Sequence, residues 1–495
     1  MSMRPFDIKE RSLSDLARFL GLNKDGQEAN FSGLSSSTSH LHSGDLFVAL
    51  PGARTHGATF IAEAISAGAV AVLTDHHGSL IIGDLLPTIV VENPRDVMGD
   101  ISSWFYGAPF RSLYAVGITG TNGKTTTAFL LNQLWQMSHR ESGFIGTTGI
   151  SIGRDSFPAQ FTTPESSELQ AAVASMVERS CKCFVMEVSS HAVVQSRISG
   201  AHFSAVAFTN LTQDHLDFHG SMENYFEAKS KLFNSQTAEL GYINIDDKYG
   251  ARLAESSQIA IRTVSRNSRK ATWHYDRFEL SRSGYDISIR GEGGILIEGH
   301  VGLVGAHNLD NVLMAVALAV ESGVDPLEIS ANLHLLQGPA GRLEKVDIGQ
   351  QFLALVDYAH TPDAVERALA AVREITPGKV IGILGCGGDR DASKRPIMGA
   401  ALVAGTDLAV LTSDNPRSES PESILDQMSS GIELGEKAVI EMDRRGAIAI
   451  GVAEAQPGDT VILLGKGHEV GQEINQVKYP FDDRVELARA IERLT

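Results

Sequence analysis

The sequence predicts an α/β fold of three domains: a small N-terminal α/β unit, a central sheet that opens on a glycine-rich loop, and a C-terminal doubly wound, Rossmann-like unit. Three observations predict it. A chain of 495 residues is longer than one hydrophobic core organises. From about residue 112 onward, short apolar runs of strand length alternate with helix-periodic stretches, the pattern of a mostly parallel sheet. The 48 glycines suit many tight strand-to-helix turns.

Residues 1–111 carry the strand signals GDLFVALPG, AVAVLT and TIVV and the helical stretch FIAEAISAG. Residues 112–338 begin with the apolar strand SLYAVGITG and continue in strand–helix alternation. Within them, ATWHYDRFELSRSGYDISIRGEGGILIEGHVGL alternates polar with apolar and is rich in turn residues, which predicts an antiparallel hairpin insert. Residues 339–495 open near GPAGRLEKV, where Gly and Pro punctuate the chain, and then repeat strand and helix with FLALVDY, VIGILG, LAVLTS and VILLG as the strands.

The formal net charge of -18 argues against a general nucleic-acid binder, because phosphate backbones are held by clustered Lys and Arg. Cys181, Cys183 and Cys386 are an odd number without metal-ligand spacing, which fits a reducing compartment and no cysteine metal site. The opening MSMRPFDIKERSL lacks the apolar segment of a signal peptide, and the longest apolar run, VLMAVALAV, is well short of the ~18 residues of a spanning helix. A cytoplasmic protein with no membrane span is expected.

The stretch VGITGTNGKTTTAF places a glycine-rich turn between an apolar strand and an apolar-periodic helix. In that context backbone N–H groups and the helix N-terminus converge on one point, so the loop reads as the phosphate cradle of a P-loop-type ATPase. Lys124 would reach the outer phosphates and Thr125 would offer a hydroxyl to Mg²⁺. The strict pattern wants glycine at 118, where this chain has Ile118; its glycines are at 117, 120 and 123. Three further loops follow apolar strands and should share one sheet edge with the cradle: Glu187 with Ser189-Ser190-His191, then LTQDHLDFH, then Asp246-Asp247. Glu187 and Thr125 are suitable oxygen ligands for Mg²⁺, and His215 is a further candidate. Taken singly, Ser189 is equally a helix cap and His215 a packed histidine.

The third unit sets four polar loops at one predicted edge: Asp357-Tyr358 with His360, GCGGDR at 385–390, SDNPR at 413–417, and GKGHE at 465–469. Arg390 and Arg417 can hold carboxylates in a bidentate fork, while Asp414 and Glu469 can hold ammonium groups, so the pocket would suit an amino acid. Asn-Pro alone also marks an ordinary turn. GCGGDR is not a dinucleotide fingerprint.

The ordered set TGTNGKTTT, EVSSHAVVQSR, TNLTQDHLDFHG, EAKSKLF, GAHNLDN, DYAHTPD, GCGGDRD, DNPR and GKGHE closely resembles the MurE family, the UDP-N-acetylmuramoyl-tripeptide synthetases, over nearly the whole chain. DNPR resembles the form in members that add meso-diaminopimelate. The resemblance implies the reaction of ATP, UDP-MurNAc-L-Ala-D-Glu and meso-diaminopimelate to UDP-MurNAc-tripeptide, ADP and phosphate, by way of an acyl phosphate, in peptidoglycan synthesis. It implies ATP and Mg²⁺ as cofactors, small-molecule partners only, and a monomer. It assigns ATP to Gly120, Thr121, Asn122, Gly123, Lys124, Thr125, Thr126, Asn308, Asn311, Arg342 and His360. It assigns catalysis to Lys124, Glu187, His215 and Lys229, with Lys229 carbamylated and joining Thr125, Glu187 and His215 as metal ligands. The UDP-substrate falls to Ser36, Thr38, Ala53, Arg54, Thr55, Thr162, Thr163, Ser189, Gln195 and Arg197, and the amino acid to Arg390, Asp414, Asn415, Pro416, Arg417, Gly465 and Glu469. Relatives commonly read Asp-Ser-Arg where this chain has Ser37-Thr38-Ser39.

The neighbouring readings are the same ligase adding L-lysine or another diamino acid, a folylpolyglutamate synthase-like ligase, and a nucleotide-binding regulator without catalysis. DNPR with GCGGDRD disfavours the folate reading. A mere binder has little need of Lys124, Glu187, His215 and Lys229 together.

Overall fold

A computed structural model describes residues 3–494 except 24–25, 53–54 and 282–283. Its strands fall into three main sheets, each with helices against it. The N-terminal sheet has four parallel strands in sequence order, Gly33–Ser35, Asp45–Val48, Ala71–Thr74 and Thr88–Val90. Its last helix, Pro94–Phe105, is capped by Asn93 and starts with proline, whose missing N–H costs nothing at that position. That helix packs on Ser166–Glu178 of the central unit.

The central sheet has eleven strands. Its parallel heart runs Ser142–Gly146, Cys183–Glu187, Tyr114–Thr119, Phe203–Phe208, Ala238–Asn244 and Ala260–Ser265 in spatial order. Because successive strand side chains point to opposite faces, Val116, Ile118, Cys183, Val185, Ala205 and Ala207 meet helices Lys124–Met137 and Ala306–Glu321. Ala115, Phe184, Met186, Val206 and Phe208 face the other way, toward Ser166–Glu178 and Met222–Ser230.

The predicted hairpin insert is instead three strands, Trp273–Ser281, Gly284–Arg290 and Leu296–Val301. They prolong the same sheet at one edge. Tyr275, Ile287, Ile289 and Ile297 are buried in the central core, so the alternation that reads locally as a free-standing hairpin serves a sheet covered on one face.

The third sheet is parallel except for its short first strand and has the order Glu344–Lys345, Leu353–Asp357, Thr460–Leu464, Val380–Cys386, Leu408–Ser413, Ala438–Ile440. Leu355, Leu384, Leu411 and Ile462 face helices Pro362–Ile375, Arg395–Gly405 and Pro421–Met428. Val356, Ile383, Val410 and Leu463 face Arg444–Glu454 and Asp483–Glu492. Helices on both faces of a parallel sheet make it doubly wound, and its polar loops leave from the carboxyl ends of the strands. Among the described residues no helix is long and apolar enough to cross a membrane. Cys181, Cys183 and Cys386 are buried free thiols.

Candidate active site

The glycine-rich loop leaves strand Tyr114–Thr119 and enters helix Lys124–Met137. Gly123 has φ +85°, and a Cβ there would strike the Asn311 side chain, so the sequence needs glycine at this turn. A neighbouring loop braces it. Thr209 Oγ1 donates to the Asn122 carbonyl (2.6 Å), Asn122 N donates to Asn210 Oδ1 (3.0 Å), and Thr212 N donates to Thr121 Oγ1 (3.1 Å). Sequence reasoning passed over Thr209, Asn210 and Thr212 as individuals, although TNLTQDH contains them.

Lys124 Nζ donates to the carbonyls of Gly120 (3.0 Å) and Thr121 (2.8 Å). Lys229, fully buried on helix Met222–Ser230, donates from Nζ to the same Gly120 carbonyl (2.8 Å) and lies over the Tyr225 ring. Burial lowers the pKa of both amines, and for Lys229 the adjacent Lys124 charge adds to a drop well below the ordinary lysine value.

Glu187 ends its strand completely buried. It accepts from Thr125 Oγ1 (2.8 Å) at one carboxylate oxygen and from Thr147 N (2.8 Å) at the other. His215 has φ +53°, unusual for a side-chain-bearing residue, and its ring stands edge-on to His191 with centroids 4.8 Å apart. Burial pushes the imidazole down to about 4. Among the described residues no three His, Cys, Asp or Glu side chains form a metal-holding group. What Thr125 and Glu187 offer is a pair of buried oxygens side by side, a donor set that suits a hard cation such as Mg²⁺.

A cavity of about 330 Å³ is lined by Thr121 to Thr126, Glu187, His215, Asn308, Asn311, Arg342 and His360, with Thr162 and Ser189 among its walls, whereas Gly120 and Lys229 do not line it. Ser189 also caps helix Ser190–Val194, accepting from Ala192 N (3.2 Å), so its helix-cap reading holds while the residue lines the cavity. Thr163 stands behind the wall and donates to the Glu187 carbonyl (2.8 Å), while Arg197 donates to the Thr163 carbonyl (3.1 Å) and pairs with Glu165 (3.0 Å). The Gln195 carbonyl accepts from Arg95 (3.0 Å), a residue of the N-terminal unit that also reaches Glu165 (3.1 Å). Ser36, Thr38 and Thr55 line neither this cavity nor the one beside it. Thr38 begins a short 3-10 turn near the contact of Ser35 with Glu168 (2.9 Å). Ala53 and Arg54 lie outside the described residues.

A second cavity, of about 910 Å³, is lined by Arg390, Asp414, Asn415, Arg417, Gly465 and Glu469. Asn415 Nδ2 donates to Glu469 Oε2 (2.8 Å), joining the DNPR and GKGHE loops. Arg417, at φ +52°, donates to the Gly388 carbonyl (2.6 Å) and lies 3.6 Å from Glu473. The Pro416 carbonyl accepts from Glu419 N (3.0 Å) and turns the chain. Sequence reasoning missed two supports. Lys466 is fully buried against Asp414, Asn415 and Glu469. Arg444, paired with Asp483 (2.6 Å), donates to the strand-end carbonyls of Leu464 (3.0 Å) and Ser413 (3.4 Å). GKGHE was a signal for the first, whereas nothing local marks Arg444. Asp214, His215, Tyr358, His360 and Thr361 line both cavities, which therefore abut.

Comparison with known proteins identifies the family to which the chain is similar. The Mur ligase family, catalytic domain, matches residues 30–106; the Mur ligase middle domain matches 118–319; and the Mur ligase, glutamate ligase domain, matches 341–467. A Streptomyces coelicolor protein named UDP-N-acetylmuramoyl-L-alanyl-D-glutamate--2,6-diaminopimelate ligase is 44% identical, with 99% of this chain and 98% of that one covered. A protein of the same name from Gloeobacter violaceus is 40% identical, with 94% and 95% covered. A solved structure under that enzyme name is 32% identical with TM-score 0.69, covering 97% of this chain and 98% of that one. The MurF ligase of Thermotoga maritima, solved in complex with ADP, is 17% identical with TM-score 0.63 over 93% and 97% of the two chains, a likeness of fold.

Proposed function

The chain belongs to the Mur ligase family, and from that premise we propose that it is the ATP-dependent carboxylate–amine ligase that adds meso-diaminopimelate to UDP-MurNAc-L-Ala-D-Glu in peptidoglycan synthesis. The observation that carries this reading is the shared wall: a phosphate-cradling cavity opens beside one lined by Arg390, Arg417, Asp414 and Glu469. A carboxylate is a poor acylating agent, so it must first acquire a leaving group. The D-Glu γ-carboxylate attacks the γ-phosphorus of ATP and ADP departs. The amine of diaminopimelate then attacks the acyl phosphate, losing a proton as phosphate leaves and the amide forms.

Gly120 to Thr126 hold the phosphates, and Lys124 meets the charge on the transferring phosphoryl group. Asn308, Asn311, Arg342 and His360 frame the rest of the nucleotide. Thr162, Thr163, Ser189, Gln195 and Arg197, with Ser36, Thr38 and Thr55 of the N-terminal unit, carry the UDP-substrate; Ala53 and Arg54, which the sequence resemblance also assigns to it, lie outside the described residues. The divalent cation, when bound, neutralises phosphate charge; Thr125 and Glu187 fit one Mg²⁺, and His215 with a carbamylated Lys229 would hold a second. Carbamylation forms an Nζ–C bond to CO₂ and releases a proton, and it needs the neutral amine that burial favours at Lys229. Arg417 pairs with the distal carboxylate of diaminopimelate, a group L-lysine lacks. Residues 1–111, 112–338 and 339–495 are the corresponding functional units. The chain is read as acting as a monomer, and its UDP-linked and amino-acid substrates point to the cytoplasm.

The test is phosphate release from ATP with UDP-MurNAc-L-Ala-D-Glu, comparing meso-diaminopimelate and L-lysine. Release with diaminopimelate alone is expected. Release only with lysine would overturn the role of Arg417, and release with neither would overturn the ligase reading.

A further inference from the structure

Lys466 lies between two glycines with left-handed backbone, Gly465 (φ +109°) and Gly467 (φ +54°). That double turn drives the lysine stem inward, and its side chain is 0% exposed. An ammonium has three donors, and here three acceptors surround it: Asn415 Oδ1 at 3.1 Å, Asp414 Oδ1 at 3.3 Å and Glu469 Oε2 at 3.5 Å. All three acceptor residues line the larger cavity, whereas Lys466 does not. The lysine therefore stands behind the wall and fixes its two acids from the rear. It also ties the loop after strand Leu408–Ser413 to the loop after Thr460–Leu464, two strands not adjacent in the sheet.

We propose that Lys466 is a positioning residue that sets the charge of the amino-acid site and so its preference among diamino acids. The inference rests on the ligase reading above. Meso-diaminopimelate carries two ammonium and two carboxylate groups and is neutral overall, while L-lysine carries one excess positive charge. Whatever the sum of the other charges, removing Lys466 makes the wall more negative by one unit. That change favours the cationic substrate over the neutral one. It also frees Asp414 and Glu469 to move, so the loss falls on amino-acid binding rather than on the nucleotide.

The experiment measures phosphate release by the full chain and its Lys466→Met, Lys466→Gln and Lys466→Arg variants, each with meso-diaminopimelate and with L-lysine, alongside a thermal melt. For Met and Gln the KM for diaminopimelate should rise roughly tenfold, the KM for ATP should stay within about twofold, and the diaminopimelate-to-lysine ratio of kcat/KM should fall roughly tenfold. Lys466→Arg should restore most of the ratio. Folded neutral variants with an unmoved ratio overturn the inference while leaving the ligase reading intact. Loss of the folding transition in both neutral variants overturns it in favour of a purely structural lysine. A wild-type chain that releases no phosphate with either amino acid overturns the ligase reading and the inference with it.

Discussion

At the scale of single residues, charge under burial does most of the deciding. Lys124 touches the two carbonyls of its own loop. Lys124→Ala should lower substrate-dependent phosphate release by roughly 10³-fold or more while retaining the thermal transition, as checked by coupled assay and melt. A second test concerns stability. Glu419 forms a bidentate pair with Arg395, both contacts 2.8 Å, and that hydrogen bonding holds its carboxyl down to about 2. A depressed carboxyl stabilises the fold fully above its unfolded value of about 4.3 and loses that contribution as pH falls through about 2. Glu419 is 31% exposed, so screening reduces the effect, and Glu419→Gln should cost about 1 kcal/mol at pH 7. The gap between variant and wild type should close between pH 4 and pH 2 in denaturant titrations; a gap independent of pH would refute the ion-pair account.

At the scale of elements, two kinds of close approach set the geometry. Helix Pro94–Phe105 can lie on the central unit because Gly99 has no side chain; a Cβ there would meet the backbone of Ser199, and one at Gly200 would meet the carbonyl of Gly99. Gly99→Val should push this helix off its seat and destabilise the chain by about 1–3 kcal/mol, read as a lower melting temperature. Because Arg95 on the same helix reaches Glu165 and the Gln195 carbonyl, the KM for the UDP-substrate should rise more than that for ATP. Equal effects on both would mean that the helix has no special link to that substrate. The second approach is the packing of helix Lys124–Met137 on Ala306–Glu321, which carries Asn308 and Asn311 to the cradle from a distant part of the chain.

At the scale of the whole molecule, the third unit reaches the glycine-rich loop through a carboxylate. Asp363, in the first turn of helix Pro362–Ile375, accepts from Asn122 Nδ2 (3.1 Å) and Thr212 Oγ1 (3.2 Å). Those bonds cross from the C-terminal sheet to the central one and lie beside the junction of the two cavities. Asp363→Ala should leave the melt nearly unchanged but lower phosphate release roughly tenfold, because a misplaced reacting pair loses rate steeply. Unchanged kcat and KM for ATP would make the contact a passive one.

The sequence by itself determined the strand–loop–helix units, the cradle and the polar loops at strand ends. Apolar periodicity, glycine placement and capping act within about a dozen residues, so GTNGKTTT and DNPR announce their local structure. It could not determine which loops become neighbours. Thr209 to Thr212 brace the cradle because strand Phe203–Phe208 pairs directly with Tyr114–Thr119, a pairing nearly ninety residues distant in the chain. The apparent hairpin after residue 271 extends the central sheet for the same reason: edge pairing depends on an exposed strand that local pattern does not see. Lys466 belongs to GKGHE, which reads locally as a polar loop at a strand end, and only the convergence of Asp414, Asn415 and Glu469 makes its burial tolerable. Long-range strand order, set by the packing of whole helices and sheets, decided which of the candidate residues named from the sequence came together at the two cavities.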